Sequence, residues 1–318
     1  MNAETCWVLT DEKPGNENPC RGLAEAVGLE TAIKRVYPRS PWSRLPPQLW
    51  LAPLRAPGAG SDPLTPPWPD LLIAAGRQTV ALSIAIKRRS RGRCFTVQIL
   101  DPAVRLDRFD LVVAPEHDRV SGANVIVTTG AMNRVTPERL AAEAPAFADG
   151  VAHLPHPRVA VLIGGNSKRH RLDPATAAGI GDRLAAVARL TGAGLMITPS
   201  RRTGEENAKA LAARLDRVAA VMWDGRGDNP YFAYLALADA IVVTGDSMAM
   251  VSEACTTGKP VHVVDLPGGS EKFRRFHESL RRAGCTRPLG DTLESWEYAP
   301  LNETARVATE VRRHLGLD

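Results

Sequence analysis

Thr244-Gly-Asp-Ser-Met-Ala-Met250 closes an apolar run at 240–243 and opens a helical pattern that contains Glu253. Gly245 permits a tight exit from a strand. Asp246 or Ser247 can cap the following helix, whose first amides, around Met248, would then point at a phosphate. Glu253 lies about a turn and a half further on. There a carboxylate can accept two ribose hydroxyls, as acidic residues do in dinucleotide folds. A surface helical carboxylate is the alternative for the same residue.

Two more loops in this half have the same character. Gly164-Gly-Asn-Ser-Lys168 follows the apolar run at 159–163. Gly164 and Gly165 let the backbone approach a ligand, while Asn166, Ser167, Lys168 and free amides can hold an oxyanion. The spacing is not that of a Walker loop, and Gly-Gly after a strand is also an ordinary turn. Thr198-Pro-Ser-Arg-Arg-Thr-Gly204 sets Arg201 beside Arg202. Each guanidinium fork can donate two hydrogen bonds to a diphosphate; two solvated arginines at a loop tip are the alternative.

The first half offers titratable groups rather than anion holders. Residues 11–18, with Glu17, follow the first apolar run, and Glu116-His-Asp118 follows the run at 111–114. His117 or Asp118 has the chemistry of a general base for a sugar hydroxyl, with Glu17 as a third candidate. His117 can as easily be a structural loop histidine. Ser/His/Asp, Gly-x-Ser-x-Gly, zinc-ligand and EF-hand patterns are absent, so hydrolase and metal readings are weak and no metal site is expected.

These loops are chemically useful only if strands bring them to one rim. Short apolar runs at 6–10, 32–36, 71–74, 94–100, 111–114 and 124–128 alternate with helical patterns at 19–27 and 78–88, which is βαβ punctuation. A Pro-rich interval at 38–69 should be irregular, with at most short helical turns. A helical segment at 137–147 leads to Ala152-His-Leu-Pro-His-Pro157, whose prolines stop regular structure. The second half repeats the alternation, with strands at 158–163, 194–198, 218–223, 240–243 and 261–264 and a closing helix at 302–314. The expected fold is α/β: two Rossmann-like, doubly wound parallel-sheet domains, 1–150 and 151–318, facing across a cleft. The last helix is expected to pack back on the first domain.

Composition agrees with a folded body. The 318 residues exceed the roughly 100–200 of one domain. Hydrophobic residues make up 44% and charged residues 24%, near the averages for globular proteins. The five cysteines form no Cys-x-x-Cys or Cys/His cluster, which suits reduced thiols and a cytosolic location. Neither a secretory leader nor a membrane span is expected. The net charge of +5 suits an anionic partner. Its densest cluster, Lys87-Arg-Arg-Ser-Arg-Gly-Arg93, reads as a solvated helix end or as a phosphate or lipid patch.

The segment from Ala238 through Thr244-Gly-Asp-Ser247 and Ser252-Glu-Ala254 to Gly258-Lys-Pro260 resembles the donor-binding signature of GT-B glycosyltransferases. Gly164-Gly-Asn-Ser167 is similar to the Gly-Gly-Ser loop of the transferase that adds N-acetylglucosamine to the peptidoglycan lipid. Further motifs extend the likeness: Trp7 to Asn18, Gly76-Arg-Gln-Thr79, Ile99-Leu-Asp-Pro102, Phe109 to Asp118, Thr128 to Arg134 and Ser200-Arg-Arg-Thr203. Together they resemble the mitochondrial-fission "elongated mitochondria" family of plants and bacteria. Members of that family usually carry Gly-His-x-Asn-Gln in the first loop, where this chain has Gly15-Asn-Glu-Asn-Pro19. The resemblance implies a sugar-transferase fold, although plant members are associated with recruiting a dynamin-like protein to mitochondria.

One reading accounts for all of these loops: transfer from a nucleotide diphosphate sugar to an unidentified acceptor. The nucleotide sugar is then the substrate, no cofactor is required, and nucleic acid is not among the expected partners. A non-catalytic adaptor, peripheral on the inner face of an anionic membrane, explains the charge but not the loops. A nucleotide-sugar epimerase uses the same fold and donor contacts.

Overall fold

The computed structural model describes residues 3–317. It divides into two units, one running to Arg134 and resuming at Asn302, the other spanning Val135–Leu301.

In the first unit the elements are β1 (Thr5–Thr10), α1 (Pro14–Val27), β2 (Glu30–Arg35), β3 (Leu71–Ala75), α2 (Arg77–Arg89), β4 (Phe95–Ile99), β5 (Leu111–Pro115) and β6 (Val125–Thr128). The strands form one parallel sheet in the order β2-β1-β3-β4-β5-β6. Every residue of β3 and β5 is buried, as expected where helices cover both faces of a parallel sheet. Helix α1 begins at Pro14, five residues before the expected start at Pro19. Proline suits a first helical turn, and Pro14 takes that position ahead of Pro19. The segment 14–18, including Glu17, is therefore helix rather than loop.

Residues 36–70 form an ordered excursion with only two short 3-10 turns, Pro47–Leu49 and Pro53–Arg55. Trp50, Ala56 and Leu64 anchor it against Leu9, Leu72 and Leu82. The indole of Trp50 donates to the Leu45 carbonyl at 3.1 Å, and that of Trp42 to the Leu51 carbonyl at 2.8 Å.

The second unit contains α3 (Pro137–Glu143), α4 (Pro145–Val151), β7 (Arg158–Ile163), α5 (Pro174–Thr191), β8 (Gly194–Pro199), α6 (Glu205–Ala212) and β9 (Ala220–Met222). It continues with α7 (Tyr231–Leu237), β10 (Ala240–Thr244), α8 (Met248–Thr256), β11 (Val261–Val264), α9 (Glu271–Arg282) and β12 (Thr286–Pro288). The strands run parallel in the order β12-β11-β10-β7-β8-β9. Counted within the unit this is 6-5-4-1-2-3, the order of dinucleotide-binding sheets.

The units do not divide at residue 150. Leu140, Val151 and Leu154 pack with Tyr234 and Leu235 of α7, so α3 and α4 belong to the second unit. Pro145 separates these two helices where one was expected, since proline cannot continue a helix through its missing amide. The last helix, α10 (Glu303–Leu315), lies in the first unit, with Val307, Ala308 and Val311 in a core shared with Leu23, Ala24 and Val27 of α1. All five cysteines are buried, and none is in a disulfide. Among the described residues no helix is long and apolar enough to cross a membrane.

Candidate functional site

In the second sheet β10 lies beside β7 rather than beside β9. Chain order reverses between those two strands, and in open parallel sheets the carboxyl ends at such a point are where ligands bind. The loops after β7 and β10 meet there through side chains. Gly164 donates its amide to Thr244 Oγ1 at 2.7 Å, and Gly165 donates to Asp246 Oδ2 at 3.0 Å. Thr244 Oγ1 donates in turn to Asp246 Oδ1 at 2.6 Å. The loop after β8 joins them, with Arg202 Nη2 at 2.7 Å from Asp246 Oδ2 and Thr203 Oγ1 at 2.5 Å from the Gly164 carbonyl.

Asp246 is thus an internal anion that holds three loops together. The helix cap is Ser247, whose hydroxyl accepts the Met250 amide at 3.4 Å. Asn166 is likewise engaged, bonding Leu172 through both ends of its amide at 3.0 Å. The Ser167 hydroxyl accepts the Arg169 and His170 amides. Gly164, Gly165, Asn166, Ser167, Arg202 and Asp246 therefore build the rim. Anion-holding capacity rests with Lys168 and Arg201, both exposed, and with the amides of Met248 and Ala249, which have no intrahelical acceptor. Among the described residues no carboxylate lies within ion-pair distance of Lys168 or Arg201. Arg201 also lines an open groove of about 760 Å³ with Ser200, Lys209, Trp223 and Arg226.

The closeness of these loops requires glycine. A Cβ on Gly165 would stand 2.1 Å from the Arg202 carbonyl oxygen, and one on Gly164 would stand 2.1 Å from Asp246 Oδ1. The first contact is with backbone and cannot be relieved by a side-chain rotation. Gly165→Ala is expected to destabilise the protein by about 1–3 kcal/mol, as overpacking does, measured as a lowered midpoint in urea unfolding.

Glu253, on α8, is 7% exposed. It accepts the Tyr231 hydroxyl at 2.5 Å. Burial raises its carboxyl pKa to about 7 against the opposing effect of that hydrogen bond. It is therefore not the exposed helical carboxylate that the sequence also allowed. On the other side of the β10 loop, His277 Nε2 lies 2.8 Å from the Gly245 carbonyl. A carbonyl only accepts, so Nε2 carries the hydrogen. Burial holds this imidazole below its ordinary pKa, and does the same for buried His170, whose ring meets Phe273 edge-on at 4.5 Å. Tyr231 and His277 were not singled out by sequence, because each reaches the site only through tertiary packing. Thr203 and Thr244 carried a visible signal, a hydroxyl inside each motif.

In the first unit Glu17 pairs with Arg21 at 3.3 Å and Arg35 at 4.0 Å. His117 and Asp118 share one short 3-10 turn after β5, with His117 Nε2 at 3.9 Å from Asp118 Oδ1 and His117 buried. Strands β3 and β4 lie between β1 and β5, but Glu17 is on α1, and Gly15 and Pro19 on either side of it line one small cavity with Pro115, which precedes the His117 turn.

The profile described as "Mitochondrial fission ELM1" matches residues 14–315. The chain belongs to the mitochondrial fission ELM1 family. The ELM1 family protein of Arabidopsis thaliana, "Mitochondrial fission protein ELM1", is 35% identical over 274 residues, covering 78% of this chain and 64% of the plant protein. The chain therefore spans less than two thirds of that relative's length. Among solved structures, UDP-GlcNAc 2-epimerase of Methanocaldococcus jannaschii, in complex with UDP-GlcNAc and UDP, superposes with a TM-score of 0.55 at 11% identity, covering 99% of each chain. MurG of Acinetobacter baumannii superposes with a TM-score of 0.51 at 14% identity, covering 98% of this chain and 92% of that one. At such identities the likeness is one of fold: this ELM1 family member has the GT-B architecture.

Proposed function

We propose that this chain binds a nucleoside diphosphate sugar on its second unit and transfers the sugar to an acceptor. The observation that carries the reading is the switch point between β7 and β10. Three loops are locked there around Asp246, and Lys168, Arg201 and the start of α8 remain available to a diphosphate. Glu253 supplies a carboxylate for the ribose, while Met248 and Ser247 flank the phosphates. The M. jannaschii epimerase bound UDP-GlcNAc and UDP on the same fold, which supports this ligand class here.

The acceptor hydroxyl would attack the anomeric carbon as the nucleoside diphosphate leaves. His117 or Asp118 would take the hydroxyl proton, with Glu17 as the other candidate base. The acceptor on this reading is membrane-associated, and the protein is cytoplasmic and peripheral on an anionic membrane face. An epimerase reading keeps the same donor contacts, and product analysis separates the two: transfer releases free nucleoside diphosphate, whereas epimerisation leaves the sugar on the nucleotide.

The test is calorimetric titration with nucleoside diphosphates, their sugars and inorganic pyrophosphate. Binding by at least one nucleotide is expected, and no heat with any of them at millimolar concentration sinks the proposal. Arg201→Ala is expected to weaken nucleoside diphosphate and pyrophosphate alike by about tenfold, the worth of one charged hydrogen bond.

A further inference from the structure

We propose that the Pro-rich excursion of the first unit and the end of α2 together form a docking surface for an anionic lipid bilayer. This deepens the peripheral-membrane part of the reading above and rests on it, but shares no residue with the donor site.

Leu51 is 84% exposed and Leu49 58% exposed, on either side of Trp50, which is buried. They are not on a loose loop. Trp50 is packed in the core, the Leu51 carbonyl is held by the Trp42 indole, and Gln48 Nε2 donates to the Ala103 carbonyl at 2.6 Å. Both leucines are therefore presented by backbone already ordered, so burying them incurs little further entropy loss.

The surroundings are basic. A groove of about 430 Å³ is lined by Leu51 and Trp50 together with Arg88, Arg105 and Arg108. A second, of about 480 Å³, shares Ala52, Pro53 and Arg88 with it and adds Arg55 and Arg89. Among the described residues no carboxylate pairs with Arg55, Arg88, Arg89 or Arg108. The nearby acids are occupied: Asp107 is paired with Arg105 at 2.5 Å, and Asp101 accepts the Ala103 amide at 2.8 Å.

A single exposed leucine is ordinary. Two of them flanking a buried tryptophan, with Arg55, Arg88, Arg89 and Arg108 nearby and, among the described residues, in no ion pair, match what a bilayer interface requires: apolar groups for the acyl boundary and cations for phosphate headgroups. Leu51 lines the edge of the first groove and Leu49 lines neither, and at 84% and 58% exposure both protrude into solvent. Protrusion suits a fluid layer that closes around it, whereas a protein partner would have to supply a matching pocket.

The experiment is co-sedimentation of the full chain with vesicles of phosphatidylcholine alone and of phosphatidylcholine containing phosphatidylglycerol. Binding is expected only to the anionic vesicles. Leu51→Ser and the double change Arg88→Glu/Arg89→Glu should each weaken it about tenfold or more. Arg183→Glu/Arg189→Glu, an equal charge change on α5, should leave it within about twofold. The proposal is overturned if the parent does not bind, if Leu51→Ser binds normally, or if the α5 control loses as much as the α2 pair. Light scattering that shows a parent dimer made monomeric by Leu51→Ser would assign the surface to a second copy and also overturn it. Unchanged nucleotide titrations in variants that no longer bind vesicles would support a docking surface separate from the donor site. Vesicle binding by a parent that binds no nucleotide supports the surface and sinks only the donor reading.

Discussion

Glu253→Gln is expected to make the protein more stable above pH 7 by about 3 kcal/mol, and to make little difference near pH 4. The native carboxyl titrates at about 7 against an ordinary value of 4.5. Below about 4.5 the group is neutral in both the folded and the unfolded chain. Between the two values the folded chain holds a proton that the unfolded chain has lost, so stability falls as pH rises. Above about 7 the buried carboxylate is charged and its full cost is present. Glutamine retains an oxygen that can accept the Tyr231 hydroxyl and carries no charge. Urea unfolding of both proteins at the two pH values measures the difference. A variant less stable than its parent at high pH would show that the carboxylate is favourably bound. The same variant is expected to bind nucleoside diphosphate about ten- to a hundredfold more weakly, with pyrophosphate binding unchanged, because only the ribose would miss the charged acceptor. Gained stability with lost affinity is the signature of a group retained for binding.

Asp246→Ala acts in the opposite direction. It removes the acceptor of the Gly165 amide, the Thr244 hydroxyl and the Arg202 guanidinium at once. Breaking a buried ion pair costs about 3–5 kcal/mol when the remaining charge is stranded. Arg202 is 38% exposed and can turn to water, so a loss of about 3 kcal/mol is expected, the lower end of that range. Asp246→Asn keeps the shape with one good acceptor and should lose about half as much. Thermal unfolding gives the ranking, and Asp246→Ala at parental stability would show that the loops do not depend on this anion. Nucleotide affinity should fall in the alanine variant as well, since Lys168 and Arg201 sit on loops that Asp246 ties together.

Much of this architecture was legible because buried parallel strands are written as unbroken apolar runs, as in Leu71–Ala75 and Ala240–Thr244. Strand β12 escaped notice: Thr-Arg-Pro at 286–288 has neither length nor apolar continuity, and only pairing with β11 makes it a strand. The loops at 164–168, 198–204 and 244–250 announced themselves by glycine and hydroxyl content after apolar runs. Their internal wiring did not. Gly165, Arg202 and Asp246 are far apart in sequence, and nothing local marks Asp246 as partner to the other two. The same holds for Tyr231 and Glu253, which meet only once α7 and α8 are in place. Sequence thus pointed to the three loops, and only the fold shows how Gly165, Arg202 and Asp246 are joined within them.

The return of α10 to the first unit bears on how the protein is made. On a ribosome residues up to 134 emerge before the second unit, yet the apolar face of Leu23 and Val27 on α1 finds its partners, Val307 and Val311, only after residues 135–301 have been translated. Residues 135–301 have already appeared by then and can complete their own sheet first. Of the two units, the one begun earlier closes later, and a nascent chain that stalled before residue 302 would leave it open.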